Sequence, residues 1–211
     1  MKTCSELWAA ILVVGVLGCA GEPAPPVTQS PSDEAAAEAL ESGWEAVDAD
    51  QLSDAQRAQQ QRCVEAQTAM ASRLMAELQE ALAQQGPAAA IEVCSLRAPE
   101  IAAGVANEFG VHIGRTSYKL RNAANEPPTW AMGLVDSRIA EPTWVAGPEG
   151  ELGGLLPITM QDACLRCHGS ADSLSADVTA ALADLYPNDE ATGFEKGQLR
   201  GWFWVEAPAT S

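Results

Sequence analysis

Histidine is nearly missing from this chain: two in 211 residues. A catalytic centre built on several imidazoles is therefore poorly supplied. Positive charge is scarce as well. Twelve Lys and Arg stand against 29 Asp and Glu, a formal net charge of −17. Such a surface argues against nucleic acid or anionic lipid as a partner and favours a basic one. Aromatic residues make up 5% of the chain. The apolar run from Leu7 to Gly18 falls short of the ~20 residues that cross a bilayer. It has instead the size of a signal-peptide core, with Lys2 supplying the charge ahead of it.

That run ends Val16-Leu17-Gly18-Cys19, which is similar to the lipobox of bacterial lipoproteins. Cleavage before Cys19 makes residues 1–18 a signal peptide and leaves Cys19 to carry acyl chains. Each buried methylene then contributes roughly 0.8 kcal/mol of anchoring. Ordinary signal cleavage near Ala20 is the alternative. The expectation is an exported protein, lipid-anchored on the periplasmic side of a bacterial membrane. Residues 19–50 read as its tether. Pro23, Pro25, Pro26 and Pro31 keep the first part extended at ~3 Å per residue, and Asp33 to Asp50 reads as an acidic, Ala-rich solvated spacer. Residues 51–211 remain, enough for one domain with a real core.

Cysteine is sparing too, with six in all. Cys4 leaves with the signal and Cys19 goes to lipid. Cys164-Leu165-Arg166-Cys167-His168 has the C-x-x-C-H spacing of covalent haem attachment. Two thiols three positions apart can both reach the vinyl groups on one porphyrin edge, and the next residue offers an imidazole to the iron. A zinc site needs a further Cys/His pair, which is missing nearby. A thioredoxin-type pair needs a strand-to-helix turn in a βαβ unit, and none reads that way. Export and covalent haem attachment point to the same compartment, so one haem c is expected. Cys63 and Cys94 are left to place.

Ser53 with Gln56 matches a capping box, and Cys63, Met70, Leu74, Leu78 and Leu82 follow on one helical face. Gly86-Pro87 stops that helix and starts another, which must kink or restart at Pro99 and ends at Gly110. After this αα-hairpin, Val111–Tyr118 reads as a strand and 119–128 as a polar loop. Thr129–Ile139 reads as a short helix. Thr143–Ala146 and Leu155–Met160 read as strands joined through the turn at 147–150. Ser175 caps a helix to Leu185, and Leu199–Val205 is a last strand. Short strands with helices on one side imply an α+β domain with a small antiparallel sheet.

Four patches resemble the PAS-like c-type haem-binding family, known as exported single-domain proteins and as sensor domains of histidine kinases. They are Ile91-Glu92-Val93-Cys94 with Ala98-Pro99; Gly114-Arg115-Thr116-Ser117 through Arg121-Asn122 to Asn125-Glu126-Pro127; Cys164 to Gly169; and Tyr186-Pro187 through Ala191-Thr192-Gly193 and Gly197 to Arg200-Gly201. The resemblance spans roughly residues 51 to 206. It implies a PAS-like sheet flanked by the N-terminal helical hairpin, with haem between helices and sheet, and it matches Cys94 to the family's axial cysteine. Arg115, Lys119 and Arg121 fall where the family carries polar residues; they read as partners for the haem propionates or as a solvated basic loop. Tyr186 is expected near the haem edge.

By chemistry alone the second axial ligand, opposite His168, has seven candidates: His112, Met70, Met75, Met132, Met160, Cys63 and Cys94. A Cys63–Cys94 disulfide conflicts with the hairpin. Cys94 should face the region near Leu78, and Cys63 lies some fifteen residues beyond, about 22 Å along the helix, against the ~7 Å that a disulfide spans. Three function classes remain: electron carrier with a redox partner protein, redox or diatomic-gas sensor signalling to another protein, and haem enzyme. No kinase, cyclase or transmembrane segment reads after the haem motif, and histidine is too scarce for peroxidase-like machinery. Electron transfer or redox sensing is the favoured reading, and no enzyme activity is expected.

Overall fold

Ser53 opens the longest helix. Its hydroxyl accepts from the Gln56 N–H at 3.3 Å, while Gln56 Oε1 accepts from the Ser53 N–H at 2.9 Å. The expected capping box is formed. From Asp54 to Gln84 there is no Gly or Pro, and Ala, Leu, Gln, Glu and Arg dominate, all strong helix formers. The computed structural model, which describes residues 43–209, makes this one helix of 31 residues, α1 (Asp54–Gln84). At 1.5 Å per residue it runs about 46 Å. Its buried face is Gln59, Cys63, Ala66, Met70, Leu74 and Ala81.

The chain reverses at Gly86, whose φ of 88° favours glycine, and Pro87 starts α2 (Pro87–Glu92). α3 (Ala98–Phe109) continues it through a π turn at Val93–Arg97. The expected break at Pro99 takes this form. Proline has no N–H for the carbonyl one turn back and its ring crowds that carbonyl. The preceding turn widens, and the Ala98 N–H reaches back five residues to the Val93 carbonyl. Gly110, at φ 61°, closes α3.

Five strands form one antiparallel sheet in the order β1-β3-β4-β5-β2: β1 (Glu45–Val47), β2 (His112–Thr116), β3 (Thr143–Ala146), β4 (Leu152–Thr159) and β5 (Leu199–Ala207). The α+β expectation holds at this level. Two strands differ from the sequence reading. β1 lies in the stretch read as solvated spacer, where three residues with no apolar alternation gain structure only by pairing with β3. β4 begins at Leu152 rather than Leu155. Gly153 and Gly154 carry little strand propensity, but Cβ atoms there would come within 2.8 Å of Val145 and 2.6 Å of the Trp144 ring. The glycine pair lets β3 side chains lie flat on the strand.

The helical hairpin covers one face of the sheet. Cys63, Ala66, Met70 and Val105 meet Ile113, Leu152, Phe203 and Val205 there. The other face is covered as well, which the sequence reading did not anticipate. Trp130, Leu134, Val135 and Ile139, around the short helix α4 (Met132–Asp136), pack on Val145, Leu155 and Trp202. Trp202 is fully buried, and its indole N–H donates to the Ile139 carbonyl at 2.7 Å. α5 (Leu165–His168) and α6 (Ala176–Leu185) lie between β4 and β5 in sequence. α6 packs Val178, Leu182 and Tyr186 on Ile91 of α2. The expected signal peptide, the cysteine expected to carry lipid and most of the expected tether lie outside the described residues.

Candidate functional site

Cys164 ends a single 3-10 turn, Asp162–Cys164, and α5 follows at once. The helical turn puts the two thiols, three residues apart, on one side. His168 ends α5, and Gly169 turns the chain away so tightly that a Cβ would sit 2.6 Å from the Leu165 carbonyl and 2.7 Å from Ser173 Oγ. Residues 189–194 then dock on this motif. The Gly193 N–H donates to the Gly169 carbonyl at 2.8 Å and the Phe194 N–H to the His168 carbonyl at 3.0 Å. His168 Nδ1 lies 2.6 Å from the Ala191 carbonyl. A carbonyl can only accept, so Nδ1 carries the proton and Nε2 keeps its lone pair. Burial holds His168 well below the usual histidine range, with the Arg121 and Arg200 guanidiniums adding to it. The ring is neutral at neutral pH, the form that binds a metal.

Arg121 ties the motif to its support. Nη2 donates to the Cys167 carbonyl at 2.6 Å and to the Ala191 carbonyl at 3.3 Å, and the guanidinium pairs with Asp189 at 3.1 Å. Both side chains are 8% exposed. Asp189 also accepts the Ala191 N–H at 2.8 Å, so one carboxylate holds the loop that holds the imidazole.

Of these residues Cys164, His168 and Arg121 line a cavity of about 420 Å³ between hairpin and sheet, within the roughly 300–1,000 Å³ of cofactor sites. Ala71, Leu74, Met75 and Leu78 of α1 form its helical wall with Cys94 from the π turn; Ile158, Thr159, Gly201 and Phe203 form the sheet wall. His168 and Cys164 lie at one end, with Tyr186, Arg115, Arg121 and Arg200 also lining the cavity. Met75 is 41% exposed although it is a large apolar side chain. The residues fit a haem on three counts: an apolar slot with uncovered hydrophobic wall, two free thiols beside a neutral imidazole with its tautomer fixed, and guanidiniums for two carboxylates. Burial, first, and Arg121 and Arg115 bring Arg200 down to about 10, so it stays charged at neutral pH.

Of the seven axial candidates, three line this cavity: Cys94, Met75 and Met160. Met160 is 1% exposed and packs on Ala191, Phe194 and Cys164, on the side of His168. His112 is exposed at the start of β2, opposite Glu206, and Met132 is 52% exposed; neither lines the cavity. Met70 belongs to the core beside Cys63. Cys63 is fully buried, and burial pushes its thiol up to about 12, so it stays protonated as a small apolar group. No disulfide joins it to Cys94; both are free. Cys94 instead meets the Leu74–Leu78 stretch across the cavity, the side on which the hairpin argument put it.

The three cations read together as one basic loop have separate tasks. Arg121 is locked in its ion pair. Lys119 Nζ donates to the Thr192 carbonyl and lies 4.9 Å from the centre of the Phe194 ring. Arg115 lines the cavity, and the ion pairs of the described residues do not include it. Tyr186 lines the cavity and is 7% exposed, and burial raises its phenol. Asn122 Oδ1 accepts the Ala124 N–H at 3.0 Å, the loop-shaping role expected of it. Asp189, the Ala191 carbonyl, Phe194 and Arg200 carry roles that the sequence reading missed. A backbone carbonyl has no residue type to signal it, and the acid lies 68 residues from its arginine.

A family model described as Tll0287-like matches residues 49–208. Among solved structures, the crystal structure of the cyanobacterial haem protein Tll0287 is similar, at 26% identity and a TM-score of 0.44, over 55% of this chain and 73% of that one. No curated protein matches.

Proposed function

This chain belongs to the Tll0287-like family, and on that premise we propose that it holds one haem c covalently and works by electron transfer or redox sensing. Cys164 and Cys167 would carry the thioethers, and His168 Nε2 would bind the iron. The Cys94 thiolate would supply a second iron ligand, Tyr186 would pack on the haem, and Arg200 and Arg115 would pair its carboxylates. The observation that carries this reading is the His168 tautomer: a buried, neutral ring held at Nδ1 by the Ala191 carbonyl, beside two free thiols. A haem bound there would supply one-electron Fe(III)/Fe(II) chemistry. The protein's own part is to orient the imidazole, keep water off the porphyrin faces with α1 and β5, and offset carboxylate charge with arginine. The PAS-like reading of the sheet, with haem between hairpin and sheet, is part of the same proposal.

Sensing is favoured over plain electron carriage by one feature. Cys94 sits on a π turn, a geometry frequent at functional sites, next to a proline that removes a helix hydrogen bond. Besides its packing, the turn is joined to α1 by the Arg97–Glu77 pair at 3.1 Å, which is exposed and therefore weak. A change of ligation at Cys94 would act directly on this turn.

The purified protein should exceed its polypeptide mass by one haem and stain for haem on a denaturing gel. A Cys164→Ser, Cys167→Ser double variant should lose both signals. Staining that survives there would remove the covalent assignment. The N-terminal reading has its own check. Cys19→Ala should move the protein from membranes to the soluble periplasmic fraction, and a native protein that is already soluble overturns the anchor.

A further inference from the structure

A second cavity lies behind the first. It has a volume of about 330 Å³, and Cys94, Arg115, Asn122 and Asn125 line both. These four residues border both spaces. We propose that this second cavity, at the β2 edge of the sheet, is a binding site for a small amphipathic monocarboxylate.

The walls specify the class. Met70, Ile113 and Ala98 are buried apolar residues at its base, and the Trp204 indole lies beside Gly114, where any Cβ would come 2.6 Å from that ring. The space itself exists because α3 turns Ala102 and Ala103 toward it. An apolar body of modest size fits such a pocket. The polar side is cationic and rich in donors. Arg115 has a planar fork of five N–H groups that pairs a carboxylate bidentately. Its absence from the ion pairs of the described residues leaves that fork available, and its five N–H groups exceed the two that one haem carboxylate would take. Asn122 spends its Oδ1 on the Ala124 N–H, which leaves its amide hydrogens to donate. The one carboxylate in the wall, Glu126, is exposed. Solvent screens its repulsion of a bound anion, which is smaller for a monoanion than for a dianion. A ligand held by Arg115 would share this cavity's lining with Cys94.

Isothermal titration calorimetry of the haem-loaded protein with benzoate tests this, with benzyl alcohol as the neutral control of similar shape. Saturable benzoate binding is expected, at least tenfold tighter than benzyl alcohol. Arg115→Gln should weaken benzoate at least tenfold. Ala102→Leu, which fills the cavity from the helix side without changing charge, should abolish it. Ala103→Leu, at an exposed position on the same wall, serves if the first filling variant does not fold. The site is overturned if wild type gives no saturable heat, if the alcohol binds as well as the acid, or if benzoate binds the Arg115 and filling variants as it binds wild type. Haem absorbance of the same samples reports the haem assignment separately, so haem-loaded protein that takes no benzoate removes this site alone.

Discussion

Cys94→Ala protein is expected to bind carbon monoxide and cyanide readily where the native protein does not, with a higher reduction potential. The cavity offers three possible ligands beside His168, and Met160 packs on the His168 side with Phe194 and Ala191. Cys94 projects from the hairpin wall instead, and the family resemblance matches it to an axial cysteine. A thiolate beside iron is an anion that stabilises Fe(III) more than Fe(II). Its removal should raise the potential on the order of 0.1 V, a fraction of the ~0.8 V that axial ligands span. Cys94→Met should raise it as well while keeping the site closed to carbon monoxide. Native protein should show a low-spin, thiolate-type EPR signal in the oxidised state. A Cys94→Ala protein with unchanged spectra and potential would move the role to Met75 and end the sensing reading built on Cys94.

Asp189→Ala is expected to cost about 3–5 kcal/mol of folding stability, the usual loss when a buried ion pair is left with one partner. Arg121 is 8% exposed on its side chain and has no second acid in contact among the described residues. Its charge would remain largely buried against the Cys167 and Ala191 carbonyls, with no carboxylate to offset it. The same carboxylate accepts the Ala191 N–H, so its removal also frees the carbonyl that fixes the His168 tautomer. Urea unfolding should show a lower midpoint with an unchanged slope, and less covalent haem per chain. Asp189→Asn keeps acceptor oxygen but not charge, and should fall between. A loss under about 1 kcal/mol for the alanine variant would show that Arg121 reaches solvent, and the motif would then need another explanation for its order.

Much of this protein is determined by residues near each other in sequence, and those parts were legible without coordinates. Ser53 and Gln56 cap α1 because both halves of the box lie within one turn. Gly86-Pro87 and Gly110 set the hairpin because backbone permissiveness is a property of single residues. Cys164, Cys167 and His168 are singled out by spacing alone, and the expectation of export and lipidation likewise rests on one contiguous stretch. Tertiary structure decided what depends on pairing across distance. β1 has no strand signal of its own and exists through β3. The glycine pair of β4 becomes strand because Trp144 needs the space. Trp130 to Ile139 close the second face of the sheet only once Trp202 lies beneath them. The axial question stayed open in sequence because seven side chains were chemically able, and folding brought three to the cavity. Arg121, read as a haem-facing or solvated cation, became a buried strut because its acid and two carbonyls arrive from 46 to 70 residues away. Local rules fix turns, caps and covalent motifs; a buried charge finds its partner only when the chain has closed around it.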